Sequence, residues 1–218
     1  MFAGHYGVSF AVKSAERRLP LWLLFLAVQF VDVLWGVFVP LGIEKVRIVP
    51  GITASNPLDL YYMPYTHSLV AALAWSGFAF LCAKVFGSAS LRAGRSALFL
   101  ALAVLSHWLL DLLVHRPDLP LYDDANKVGL GLWNFPAPAL LLEAAVLFGG
   151  MGLYLRSTTS TGLAGKYGIP LLGVGILIIH VAAFFGPPPP SPSAGALTFL
   201  ALYLILAAVA FWLEKKRA

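Results

Sequence analysis

Charged residues are scarce in this sequence. Asp, Glu, Lys and Arg make up 11% of its 218 residues, whereas soluble domains contain roughly 25%. Hydrophobic residues make up 60%, and a water-soluble protein of this size could not bury that much apolar surface. The composition therefore excludes an ordinary soluble domain.

Cysteine is nearly absent, since Cys82 is the only one and lies within an apolar segment. This excludes a disulfide framework and a CxxC metal site. The net charge of +5 comes with no basic face interleaved with aromatic residues, which argues against nucleic-acid binding. Any metal would have to be held by His, Asp and Glu.

The apolar residues are grouped in segments long enough to cross a hydrocarbon core of about 30 Å. These segments are residues 21–43, 65–86, 93–114, 130–154, 167–185 and 194–213. We predict an all-α fold, a single membrane-embedded domain of about six transmembrane helices with a short N-terminal half-helix at residues 2–12. Residues 1–156 are expected to contain the metal site, and residues 157–218 to form two scaffold helices.

The distribution of basic residues predicts the orientation. With the N-terminus in the cytoplasm, 11 Lys and Arg residues lie on the inner side and 4 on the outer side, as the positive-inside rule requires. Both termini are then cytoplasmic. Prolines mark the outer loops as non-helical, and the segment Pro187 to Pro190 is expected to be an extended spacer between the last two spans.

Ionisable residues occur within the spans, where each costs about 2.5 to 3.5 kcal/mol. His107, Asp111 and His115 follow one another at i, i+4 spacing and therefore share one face of the third span. Neighbours on this face could hold a metal. A simple hydrogen bond between His107 and Asp111, which would neutralise the helix, is an equally open interpretation.

Other ionisable residues fall near this stripe. His67 begins the second span on the side where Asp111 ends the third, Asp32 lies within the first span, and Glu143 lies within the fourth. A lone carboxylate in apolar surroundings is protonated or needs a cation. The sequence therefore predicts one cluster instead of scattered charges.

Two further histidines are less clearly placed. His5 is either a ligand or an interfacial histidine, depending on whether its segment folds back into the bundle. For His180 we expect no carboxylate in its own or the adjacent span, and hence an interhelical hydrogen bond outside the site.

Imidazole and carboxylate ligands without thiolate suit zinc or another borderline divalent ion. The predicted metal ligands are His5, Asp32, His67, His107 and Asp111, enough for one or two ions. Two metals can activate water for attack on an ester or phosphoester, which is hydrolysis. The candidate catalytic residues are Asp111, His115 and Glu143.

The stretches that carry a family resemblance are residues 4–5, 29–32, 41–44, 64–69, 107–111, 115–120 and 131–134, leading to Glu143. There the chain resembles the YdjM-like family of bacterial inner-membrane, metal-dependent hydrolases, which is distantly similar to zinc-dependent phospholipase C. The resemblance implies metal ligation by the five residues given above. The chain departs from phospholipase C at Ala139, which stands where a histidine would precede Glu143.

Three functions compete. A hydrolase would cleave a membrane lipid or another amphipathic ester or phosphoester at the outer leaflet, where His115, Arg116 and Asp118 either bind an anionic headgroup or form a polar helix end. A transporter would need polar residues continuing to both membrane faces. A scaffold would use the cluster only for packing, with hydrogen bonds worth about 0.6 kcal/mol each. Ligand chemistry and resemblance together favour the hydrolase, while the oligomeric state is not determined by the sequence.

Overall fold

The computed structural model describes residues 1–217 and consists mainly of helices, as the sequence predicts. The helices are α1 (Ala3–Ala15), α2 (Leu21–Val28), α3 (Phe30–Phe38), α4 (Leu69–Phe86), α5 (Ala89–Arg92), α6 (Gly94–Val114), α7 (Pro136–Ser157), α8 (Gly162–Phe185) and α9 (Pro192–Glu214). Two short strands, β1 (Lys45–Ile48) and β2 (Leu58–Tyr62), pair antiparallel. A single 3-10 turn, Leu132–Asn134, precedes α7.

Within residues 1–217, five helices are long and apolar enough to cross a membrane, namely α4, α6, α7, α8 and α9. Helices α2 and α3 form a sixth span if they are counted together, although they meet at a bend of 56°. The protein is therefore a multi-pass membrane protein with an all-helical bundle, which confirms the predicted fold class. The second span begins at Leu69 and the fourth at Pro136, later than the hydropathy suggests.

The connections define two faces of the bundle. The β1–β2 hairpin, the loop between α6 and α7, and the proline-rich loop between α8 and α9 all lie on one face, here called the hairpin face. The sequence predicts only irregular loops there, but the strands pair with Arg47 opposite Asp59. At the opposite face, Lys13 Nζ lies 2.5 Å from Glu214 Oε1 and ties the end of α1 to the end of α9.

The bend in the first span is caused by a side chain. Residues 21–35 contain neither proline nor glycine, the usual causes of a sharp kink. At the bend the carbonyl oxygen of Val28 accepts a hydrogen bond from the ring Nδ1 of His107, at 2.7 Å. A side chain that donates a hydrogen bond to a helix carbonyl in this way interrupts the regular backbone hydrogen bonds of the helix. Helix α3 begins after Gln29 in a new direction.

Helix α1 is the predicted half-helix, and it folds back into the bundle. With 13 residues it is about 20 Å long, which is too short to cross a membrane. It packs so closely on α7 that a Cβ at Gly7 would lie 2.1 Å from the carbonyl oxygen of Val146. The rings of Tyr6 and Phe10 both contact Phe25 of α2. This packing brings the first residues of the chain to the centre of the bundle.

Candidate metal centre

Four histidine side chains converge on Asp111 in the last turn of α6. Its Oδ1 lies 3.2 Å from Nε2 of His5, and its Oδ2 lies 3.1 Å from Nε2 of His107, 3.5 Å from Nε2 of His115 and 3.9 Å from Nε2 of His67. All five residues are buried. The helical spacing accounts for His107 and His115, while α1 supplies His5 and the loop that leads into α4 supplies His67.

A second carboxylate completes the cluster. Oδ1 of Asp32 lies 3.1 Å from Nε2 of His67 and 3.6 Å from Nε2 of His107, and Oδ2 accepts a hydrogen bond from the hydroxyl of Tyr203 at 2.8 Å. Two groups of three residues therefore have ligand atoms within 4.8 Å of one another and could hold a metal ion. They are His5, His107 and Asp111, and Asp32, His67 and His107.

His107 belongs to both groups of candidate ligands. Its hydrogen bonds indicate which of its ring nitrogens could face a cation. Because the carbonyl of Val28 can only accept, Nδ1 of His107 carries a proton, and Nε2 of a neutral ring then presents a lone pair. This Nε2 faces the carboxylates of Asp32 and Asp111, yet it has no hydrogen-bond partner within residues 1–217. Either a proton or a metal ion at this nitrogen offsets the facing carboxylates, so the donor set fits a metal ion.

His5 is held against His107. The two rings stack with centroids 3.9 Å apart and planes 8° apart, an arrangement that disfavours two positive charges. Burial lowers the pKa of His5. Its imidazole is therefore neutral at neutral pH, which is the form that coordinates metals.

His67 is oriented by a chain of two hydrogen bonds. The hydroxyl of Thr66 donates to Oε2 of Glu44 at 2.7 Å, and Nδ1 of His67 lies 2.6 Å from the same hydroxyl oxygen. Because the hydroxyl proton points to Glu44, Nδ1–H of His67 is the donor to Thr66 and its Nε2 faces Asp32. Partners of this kind fix the tautomer and ring orientation of metal-binding histidines.

His115 is oriented from the hairpin face. Its Nδ1 lies 2.9 Å from Oδ1 of Asp118, whose Oδ2 accepts a hydrogen bond from Arg116 at 3.2 Å. Arg116 also contacts Asp59 of β2. Burial alone lowers the pKa of His115, but the carboxylates of Asp111 and Asp118 outweigh it and raise the pKa above its usual value. Arg116 is thus engaged in positioning acidic groups at the end of α6.

Glu143 lies beside the cluster and caps α1. Its Oε2 accepts hydrogen bonds from the backbone N–H groups of Phe2 at 2.9 Å and Gly4 at 3.2 Å, groups that a helix start leaves without an intrahelical partner. The amino group of Met1 contacts Asp111. The structure thus gives Glu143 a structural contact, and its predicted catalytic role stays a prediction.

His180 makes the expected interhelical contact, but the expectation that no carboxylate lies near it is wrong. Its Nε2 lies 3.2 Å from Oε1 of Glu143, and both side chains are buried. The error arises because α8 lies beside α7 with the two residues at the same depth, a register that the sequence does not reveal. Tyr203 of α9 reaches Asp32 as well. The last two helices, expected to be scaffold only, therefore each place a polar side chain at the site.

A cavity of about 470 Å³ opens above the cluster toward the hairpin face, a volume within the range of roughly 300 to 1,000 Å³ typical of small-molecule sites. Its polar end is formed by Asp32, His67, Asp111 and His115, with Glu143 and His180 alongside. The remaining wall is largely apolar and includes Trp35, Trp133, Phe184, Phe199, Pro187, Pro188, Pro189 and Pro190. The cluster is thus accessible from an apolar chamber.

All five predicted ligands and His115 meet in one place, which sequence spacing could establish only for the three residues on α6. The residues that orient them, Thr66, Glu44 and Tyr203, were not predicted as site residues. A hydroxyl next to a histidine is a usable signal for Thr66, and Glu44 belongs to one of the stretches that carry the family resemblance. Tyr203 lies among apolar residues of α9 and has no such signal.

Comparison of the chain with protein families, with curated proteins and with solved structures gives no significant match. The function is therefore argued from the site.

Proposed function

We propose that the protein is a membrane-embedded, metal-dependent hydrolase that cleaves a lipid or another amphipathic ester or phosphoester. The observation that carries this proposal is the buried Nε2 of His107, which faces Asp32 and Asp111 and belongs to both groups of ligand atoms that could hold a metal ion. An open chamber beside the cluster leaves room for a substrate.

The chain's own residues have separable tasks in this proposal. An ion would be held either by Asp32, His67 and His107 or by His5, His107 and Asp111, because the single lone pair of His107 serves one ion at a time. When bound, zinc or a similar ion lowers the pKa of water and stabilises negative charge on an ester or phosphoester oxygen. His115, held by Asp118 at the polar end of the cavity, is placed to exchange a proton with the substrate.

The shape of the cavity favours a hydrolase over a transporter. The residues that line it lie at the hairpin-face ends of the helices, among them Asp111 of α6 and Phe184 of α8. Toward the opposite face, Phe10, Phe25 and Tyr154 are buried against one another. A proton or ion pathway would have to pass through this packed aromatic layer.

The same proposal includes membership of the YdjM-like family and a place in the bacterial inner membrane, with the α1–α2 connection and the C-terminus in the cytoplasm. Met1 itself is buried beside Asp111 within the bundle, so the predicted cytoplasmic N-terminus does not hold. The orientation is supported by the 11 to 4 distribution of Lys and Arg. With Cys82 replaced by serine, single cysteines can be added at the exposed positions Ala125 and Ser160. A membrane-impermeant maleimide should label A125C in intact cells, and S160C only after permeabilisation. The reverse pattern would contradict this orientation.

Hydrolysis is tested with soluble chromogenic esters. Purified wild type and His107→Ala are loaded with zinc or manganese and assayed with bis(4-nitrophenyl) phosphate and 4-nitrophenyl butyrate. We expect metal-dependent release of nitrophenol by the wild type that EDTA abolishes and that the variant lacks. Equal release by both proteins, or none from a metal-loaded wild type with either these or lipid esters, would contradict a hydrolase.

A further inference from the structure

Helices α8 and α9 converge at one end. At the opposite face the backbone N–H of Thr161 donates to the carbonyl of Lys216 at 2.9 Å. A Cβ at Gly165 would lie 2.2 Å from that same carbonyl oxygen, so the helix ends are in direct backbone contact. The two helices are therefore fixed together at this end.

At the hairpin face the same two helices are joined by an extended connection. Four consecutive prolines, Pro187 to Pro190, lie between them, and polyproline advances about 3.1 Å per residue and is stiff. Pro189 packs against Gly195 in the first turn of α9, where a Cβ would lie 3.0 Å from its Cγ. This connection holds the helix ends apart, and the cavity occupies the space between them.

The gap leads out of the bundle. Ala183 near the end of α8 and Thr198 near the start of α9 are both exposed, and both line the cavity. A residue that is exposed and also lines an internal cavity marks an opening. Both residues belong to membrane-spanning helices, and Thr198 lies six residues, or about 9 Å, from the start of α9. The opening therefore reaches the membrane-spanning part of both helices, where it faces the hydrocarbon region.

We propose that this opening is a lateral entrance through which one hydrocarbon chain of a membrane amphiphile enters the cavity, with a phosphate-type headgroup directed to the His–Asp cluster. Three features specify this occupant. The walls next to the opening are apolar, including Phe184 and Phe199. The polar, cation-binding side chains are confined to the far end, and the volume suits one small ligand. The position of the amphiphile's headgroup rests on the proposed function, whereas the entry of its hydrocarbon chain does not.

The entrance is tested by photolabelling, which needs no turnover. Protein in phosphatidylcholine nanodiscs is irradiated with hexadecyl phosphate that carries a diazirine in its chain, and labelled peptides are mapped by mass spectrometry. In the wild type, label is expected on cavity residues such as Phe184 and Phe199. Thr198→Trp should reduce this label by roughly tenfold or more, because the indole fills the opening.

Matched controls are available one residue away. Leu197 and Ala182 are exposed neighbours of Thr198 and Ala183 that do not line the cavity. Leu197→Trp and Ala182→Trp should keep wild-type labelling, whereas Ala183→Trp should lose it like Thr198→Trp. Cavity labelling that is unchanged in both blocking variants, or label confined to lipid-facing positions of the wild type, would overturn the entrance.

The two proposals can fail separately. Cavity labelling without metal-dependent hydrolysis of any ester would retain the entrance and remove the hydrolase. Metal-dependent hydrolysis of bis(4-nitrophenyl) phosphate by the wild type without any cavity labelling would retain the hydrolase and remove the entrance.

Discussion

The ring Nδ1 of His107 donates a hydrogen bond to the backbone carbonyl of Val28 at 2.7 Å. This one contact joins α6 to the bend of the first span and fixes which nitrogen of His107 carries the proton. It leaves Nε2 facing the carboxylates of Asp32 and Asp111. The bend and the metal centre are therefore parts of the same arrangement.

Thr66 is expected to control metal affinity without touching the metal. Thr66→Val removes the hydroxyl between Glu44 and Nδ1 of His67 while keeping the shape of the side chain. Loss of such an outer partner lowers metal affinity by about 10- to 100-fold, and Thr66→Ser should restore most of it. Competition with a chromogenic zinc chelator measures the change. An affinity in Thr66→Val equal to that of the wild type would contradict the orienting role.

Gly7 is expected to be essential for the position of α1. Gly7→Ala places a Cβ 2.1 Å from the carbonyl of Val146, which should cost about 1 to 3 kcal/mol of stability and displace His5. Gly152→Ala on α7 is the control, because a Cβ there meets nothing within 4 Å and alanine favours a helix. Thermal unfolding in detergent compares them. The packing account fails if Gly7→Ala is as stable as Gly152→Ala.

Glu143 is expected to hold the start of α1. Glu143→Ala leaves the N–H groups of Phe2 and Gly4 without their acceptor, a loss of about 1 to 3 kcal/mol. Glu143→Gln keeps an acceptor oxygen and should cost less. Hydrogen–deuterium exchange of residues 2–6 should accelerate in Glu143→Ala. Unchanged exchange there would show that Glu143 does not anchor the helix.

Asp118 is expected to affect turnover more than metal content. Asp118→Ala frees Nδ1 of His115, so the ring loses its fixed orientation, and kcat should fall about 10- to 100-fold. Asp118→Asn retains an acceptor oxygen and should keep more activity. Both variants should bind as much metal as the wild type. Wild-type kcat in Asp118→Ala would mean that His115 needs no such positioning.

The sequence predicts the parts of this site that depend on local spacing. Apolar segments predict the spans, and the i, i+4 spacing predicts the shared face of His107, Asp111 and His115. The insertion of α1 is suggested by a segment too short to span, and Gly7 facing Val146 explains how it packs. The spans and the shared face follow from helix geometry within one segment, whereas the packing of Gly7 on Val146 appears only in the folded structure.

The remaining features depend on how distant helices align. His180 meets Glu143, and Tyr203 meets Asp32, because α8 and α9 pack at a particular register against the first and fourth spans. One turn of slippage along either helix would separate the partners by about 5.4 Å. Apolar helices of uniform hydropathy give no signal that selects one register, so these contacts appear only in the folded structure.

The central claim is that the cluster binds metal, and elemental analysis of purified protein tests it directly. Wild type, His107→Ala and the neighbouring control Ser106→Ala, whose hydroxyl bonds only to its own helix at Ala103, are loaded with zinc and dialysed against metal-free buffer. Because His107 belongs to both ligand groups, we expect stoichiometric metal in the wild type and Ser106→Ala, and none in a folded His107→Ala. A well-folded wild type that retains no metal, or a His107→Ala that retains as much, would contradict the account.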